Sequence, residues 1–127
     1  MKVLLIDDNL SDNRLSQIAF ENIGYYTLFA INGKDAITKI TTNNELPDLI
    51  FLDINMPVMN GVEFIKEIKT NKKYSQYSNI PIVIFTGLDI EFIEFENDLD
   101  KHIAGKIVKP VKSSELKIKI AKILNDN

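Results

Sequence analysis

The sequence contains no cysteine. That absence excludes disulfides, thiolate metal sites and a cysteine nucleophile. Its single histidine, His102, excludes a multi-histidine metal site and a histidine–histidine relay. No apolar run approaches the roughly 20 residues that a membrane-spanning helix needs. The apolar run Val3–Ile6 is too short for the core of a signal peptide. An excess of positive charge is also missing, since the net charge is −3 and the pI about 5.1. A general nucleic-acid binder would be basic, so neither nucleic acid nor membrane is expected as a direct partner. The expectation is a cytoplasmic protein.

What is present suits one globular domain spanning residues 1–127. Apolar residues make up 45% and charged residues 26%, enough for an independent core. Five short apolar runs stand out: Val3–Ile6, Tyr26–Ile31, Leu49–Leu52, Ile80–Phe85 and Lys106–Val108. Most are rich in β-branched or aromatic residues, and near-continuous apolarity suits strands buried on both faces of a parallel sheet. Helical spacing lies between them. Leu15, Ile18, Ala19 and Ile23 mark a first helix, which Gly24 stops. Ala36, Ile37 and Ile40 mark a second, and Val62, Ile65 and Ile68 a third. Leu88, Phe92, Phe95 and Leu99 mark a fourth, and Leu116, Ile120, Ile123 and Leu124 a fifth with Ser113 as N-cap. The polar stretches Thr41–Glu45 and Thr70–Asn79 read as surface connections.

Strict alternation of strand and helix predicts an α/β fold, a (βα)₅ doubly wound five-stranded parallel sheet in flavodoxin-like order 2-1-3-4-5. Ligands of such sheets bind beyond the carboxyl ends of the strands. Strand one ends in Asp7-Asp8, strand three in Asp53, strand four in Thr86-Gly87 and strand five in Lys109-Pro110. Three carboxylates, a hydroxyl and an amine are therefore expected in one crevice. Clustered carboxylates repel unless a cation joins them. Oxygen donors without Cys or His favour Mg²⁺, Mn²⁺ or Ca²⁺. A carboxylate beside such an ion can attack phosphorus, while a lysine and a hydroxyl stabilise the phosphoryl oxygens. The set reads as phosphoryl transfer to an aspartate. Each piece alone has a plainer reading as a cap, a turn or a strand end. Those readings do not explain why all the polar residues fall at one end of the sheet.

Ile6-Asp7-Asp8-Asn9, Leu52-Asp53 with the following Ile54-Asn55-Met56-Pro57-Val58-Met59-Asn60-Gly61, Phe85-Thr86-Gly87 and Val108-Lys109-Pro110 occur in that order. On these motifs the chain resembles a response-regulator receiver domain over essentially its whole length. The resemblance implies a phospho-accepting protein of a two-component phosphorelay. Asp53 would be the phospho-acceptor, taking its phosphoryl group from a histidine kinase or a histidine phosphotransfer protein. Mg²⁺ (or Mn²⁺) would be held by Asp8 and Asp53, by Asp7 through water and by the Asn55 backbone carbonyl. Thr86 would act as a hydroxyl switch, Lys109 would pair with a phosphoryl oxygen, and Pro110 would follow a cis peptide. Gly87 would leave room for the phosphoryl group. Output would run through protein contacts at the fourth helix, fifth strand and fifth helix, from a monomer or a phosphorylation-dependent dimer. The expected protein is not a turnover enzyme; it would promote only its own phosphorylation and slow dephosphorylation.

Two departures from the family pattern stand out. Lys106 occupies the position of a usual aromatic, and a charged lysine does not enter an apolar pocket cheaply. His102-Ile103 replaces a usual small pair, and His102 itself reads as an ordinary surface residue. Output is therefore expected mainly through the fourth helix. Asp89–Asp100 holds six acids and no base, whereas Lys101–Lys122 holds seven lysines. Leu88 offers no group to orient an attacking water, which predicts slow phosphate loss. Arg14, Leu15 and Ile18 are candidates for kinase recognition. The alternatives are a receiver piece of a longer regulator, a phosphate-independent binding module, and an aspartyl-nucleophile phosphatase.

Overall fold

The computed structural model describes residues 1–42, 46–54, 59–87 and 101–125. Five strands, β1 (Lys2–Ile6), β2 (Tyr26–Ala30), β3 (Leu49–Leu52), β4 (Ile82–Thr86) and β5 (Gly105–Val108), form one sheet. All are parallel, in the order β2-β1-β3-β4-β5. Helices α1 (Leu10–Asn22), α2 (Gly33–Thr42), α3 (Gly61–Thr70) and a C-terminal helix (Ser113–Asn125) cover its two faces. The expected flavodoxin-like order is the one observed.

β1, β3 and β4 alternate between two cores, which is why they read as apolar runs. On one face Leu4, Ile6, Ile50, Leu52, Ile82 and Ile84 meet Ala36 and Ile40 of α2 and Phe64, Ile65 and Ile68 of α3. On the other, Val3, Leu5, Phe51, Phe85 and Ile107 meet Phe20 of α1 and Leu116 and Ile120 of the C-terminal helix. Phe20 anchors this second core, edge-on to Phe51 at 4.8 Å between ring centroids. Truncating such a ring to alanine costs about 3–5 kcal/mol.

Local signals bound the helices, and Gly24 stops α1 as the sequence predicts. Asn9 caps α1, its side chain accepting from the Asp12 N–H at 2.9 Å. Gly24, at φ +84°, closes α1: its N–H donates to the Glu21 carbonyl and that of Tyr25 to the Phe20 carbonyl, each at 3.0 Å. That is a Schellman closure, where glycine bears the left-handed backbone at least cost. Asn60 and Glu63 form a capping box at the start of α3.

Four sequence expectations need correction. Leu15 is 67% exposed and Ile18 is 51% exposed. Phe20 and Asn13 instead turn to the sheet, because the phenylalanine fills the second core and the asparagine bonds to β1's exit. Thr70–Asn79 is more than a surface connection. It contains a 3₁₀ helix, Lys72–Tyr77, whose Tyr77 is buried in the first core. The fourth strand begins at Ile82, since Pro81 has no N–H for the ladder. Ser113 is inside the last helix; the Leu116 N–H donates to the Lys112 carbonyl at 2.9 Å, which places the cap one residue earlier. The predicted fourth helix, with Leu88 and the acidic run, lies outside the described residues, as does the 43–45 part of the earlier connection. Among the described residues no helix is long and apolar enough to cross a membrane.

Candidate functional site

Register brings the expected residues together. Ile6 pairs with Leu52, so Asp7 and Asp53 leave the sheet side by side. Thr86 pairs with Val108, so Lys109 follows directly beside Thr86. Asp53 is fixed by its N–H, which donates to the Ile6 carbonyl at 2.9 Å. Asp7, Asp8 and Asp53 each offer a carboxylate oxygen, and these oxygens lie within 4.8 Å of one another. Asp7 is 5% exposed, Asp53 half-buried and Asp8 exposed.

A backbone N–H and two side chains hold Asp7 in place. Its Oδ1 accepts from the Asn9 N–H at 2.9 Å, and its carbonyl accepts from the buried Asn13 Nδ2 at 2.9 Å. Its Oδ2 accepts from Lys109 Nζ. The same ammonium lies 3.3 Å from Asp12 Oδ2 and 3.9 Å from Asp53 Oδ2. Burial alone would lower the Lys109 pKa. The hydrogen bond and charge of Asp7, with the charges of Asp53 and Asp12 behind it, reverse this and hold it above the ordinary lysine value. Lys109 therefore stays cationic among the carboxylates. The Lys109–Pro110 peptide is cis, as expected. Thr86 is buried at the carboxyl end of β4, and Gly87 opens onto free space.

Close backbone approach explains Gly61. A β-carbon there would stand 2.7 Å from Ile54 Cα and 2.9 Å from the Asp53 carbonyl oxygen. The turn ahead of it is bent by Met59, a non-glycine residue at φ 48°. Asn55 lies outside the described residues, as do Met56, Pro57 and Val58. His102 precedes β5 and Lys106 lies on it; His102 does not join the group of Asp7, Asp8 and Asp53.

The donor set fits a hard divalent cation. All three candidate side chains are carboxylates, and among the described residues no nitrogen or sulfur donor joins them to favour a softer metal. Sequence reasoning missed Asp12 and Asn13. Both lie in the first turns of α1, and a helical side chain covers the turn N-terminal to it, here the exit of β1. The spacing from Asn9 was the available signal.

Comparison with known proteins agrees with this geometry. The family model described as "Response regulator receiver domain" matches residues 3–121. Chemotaxis protein CheY1 of Helicobacter pylori is 32% identical over 130 residues, covering 100% of this chain and 99% of that protein. The probable transcriptional regulator ycf27 of Guillardia theta is 29% identical over 123 residues, covering 97% of this chain. This chain spans only 45% of that regulator's length. Among solved structures, chemotaxis protein CheY4 of Vibrio cholerae superposes with a TM-score of 0.74 at 28% identity, covering 96% of this chain and 97% of that one. Response regulator TrrA of Thermotoga maritima, solved in complex with Mg²⁺-BeF, gives 0.76 at 28% identity over the same shares, 96% and 97%. Five parallel strands in this order, an acidic crevice at their carboxyl ends and a family match across nearly the whole sequence lead to one conclusion: the chain belongs to the response-regulator receiver domain family.

Proposed function

We propose that Asp53 accepts a phosphoryl group from the phosphohistidine of a histidine kinase or histidine phosphotransfer protein. One observation carries this assignment. Three carboxylates crowd within 4.8 Å of one another, with the Lys109 ammonium bonded to Asp7 and 3.9 Å from Asp53 Oδ2. Such a cluster calls for a further cation, and a phosphoryl group completes the charge pattern.

Asp8 and Asp53 would hold Mg²⁺ or Mn²⁺ directly. The two Asp7 oxygens already accept from Asn9 and Lys109, which favours contact through water. The Asn55 carbonyl is assigned by family resemblance. When bound, the ion offsets the negative charge of the carboxylates and of the transferring oxygens. An Asp53 carboxylate oxygen attacks phosphorus, the phosphorus–nitrogen bond breaks, and its electron pair stays on the imidazole nitrogen. The product is an acyl phosphate. Lys109 then pairs with one phosphoryl oxygen and the Thr86 hydroxyl donates to another.

Phosphorylation would alter protein contacts at the predicted fourth helix, β5 and the C-terminal helix. The partners are a phosphohistidine donor and a downstream protein, in the cytoplasm. A phosphatase of the haloacid dehalogenase type would need an acid two residues after the nucleophile, where this chain has Asn55. Turnover of a generic phosphomonoester is therefore expected to be absent.

Intact-protein mass after incubation with acetyl phosphate tests the proposal. One added phosphoryl group that requires Mg²⁺ is expected. A chain that binds its downstream partner equally well with Asp53→Asn would be a phosphate-independent module instead.

A further inference from the structure

Lys109 does not face Asp53 alone. Its ammonium has three N–H donors. One bonds Asp7 and a second faces Asp12 Oδ2 at 3.3 Å, while Asp53 Oδ2 stands at 3.9 Å, beyond hydrogen-bond range. Asp12 lies on the first turn of α1, 97 residues from Lys109 in sequence. Its carboxylate does not close a capping box there, because the Asn9 backbone N–H donates to Asp7 Oδ1 instead. Nor does it belong to the carboxylate trio of Asp7, Asp8 and Asp53.

From this arrangement we infer that Asp12 is a positioning residue that competes with the phosphoryl group for Lys109. The inference rests on Asp53 being the phospho-acceptor. In the unphosphorylated chain Lys109 is drawn toward α1. Asp12 also adds a negative charge beside the path of an anionic phosphodonor. When the phosphoryl group arrives on Asp53, Lys109 must give up Asp12 to reach it. Release is inexpensive, because the Asp12 side chain is 44% exposed and can return to water. The released carboxylate has room: Asp12 and Lys109 line a cleft of about 340 Å³ together with Leu15, Phe85, Gly87 and Pro110. Asp12 thereby sets how readily the site loads, without touching the reacting atoms.

The test compares wild type, Asp12→Asn and Asp12→Glu for labelling by acetyl phosphate with Mg²⁺ over a range of donor concentrations. Removing one partly exposed charge is worth little, so Asp12→Asn should load about threefold faster at low donor. The gain should come mainly through a lower half-saturating concentration, and it should shrink as salt screens the site. Asp12→Glu should restore wild-type behaviour. A purely structural role would slow loading and would show no such salt dependence. A second readout needs no metal: the Lys109 ¹⁵Nζ resonance should shift in metal-free Asp12→Asn. If Asp12→Asn folds and loads at the wild-type rate or slower, or if its resonance does not move, the competition is refuted. Should Asp12→Asn not fold, loss of competition by Asp12→Ser is read in the same two ways. An unlabelled wild-type chain would overturn both this inference and the assignment of Asp53, whereas a labelled wild type with an indifferent Asp12→Asn overturns this inference alone.

Discussion

The backbone N–H of Lys109 donates to the Thr86 carbonyl at 2.8 Å, so the residue that would hold the phosphoryl group and the residue that would sense it share one backbone bond. Through that bond, movement at the end of β4 would be passed to the start of the loop that leads into the C-terminal helix. Thr86→Ala should still accept the phosphoryl group, because Asp53 and Lys109 remain. It should lose most of the phosphorylation-dependent change in its amide NMR spectrum, at a stability cost of about 1 kcal/mol. A full-sized spectral change in the variant would remove Thr86 from the switch.

Gly61 holds the Asp53 turn against α3. Its missing β-carbon would otherwise collide with the backbone of Ile54 and Asp53, which cannot yield as a side-chain end can. Gly61→Ala should lose about 1–3 kcal/mol in urea unfolding and should slow labelling at Asp53. An unchanged unfolding midpoint would show that the turn relaxes freely.

Lys69 gives the chain an alkaline signature. Burial holds its pKa below the ordinary lysine value of 10.5, while its ammonium donates to the Ser78 and Ile80 carbonyls. As pH rises through the folded value, the folded chain releases this proton before the unfolded chain does. The unfolded state then binds more protons, so the Lys69 contribution to stability increases with pH until about 10.5, the unfolded value. Below the folded value both states are charged and the contribution is flat. Urea unfolding of wild type and Lys69→Met across the alkaline range should show this rise only in wild type. Parallel curves would contradict the sign.

Lys106 stands on β5, paired in register with Ile84, and is exposed. A charged side chain at that position does not swing into an apolar pocket at low cost. Lys106→Ala should therefore leave the phosphorylation-dependent spectral change intact. Its abolition would place the relay on β5 after all.

Much of this was legible in the sequence, for physical reasons that can be named. Leu4 and Ile6 face one core while Val3 and Leu5 face the other, so an unbroken apolar run was sufficient to mark a doubly covered strand. Once five such runs alternated with helices, the strand ends had to bring Asp7, Asp53, Thr86 and Lys109 together. The misses share another cause. Phe20 outweighed Leu15 and Ile18 because tertiary burial overrides spacing alone. Asn13 carries no motif of its own, and its value lies in the Asp7 carbonyl that it satisfies. Asp12 is a first-turn helix acid, and its contact with Lys109 is a product of tertiary structure.

The central claim is that, of three clustered carboxylates, Asp53 carries the phosphoryl group. Borohydride reduction after labelling with acetyl phosphate and Mg²⁺ converts an aspartyl phosphate to homoserine, which peptide mass spectrometry locates. Homoserine at position 53, and none in Asp53→Asn, is the predicted result. Homoserine at Asp7 or Asp8 in the wild-type chain would contradict it.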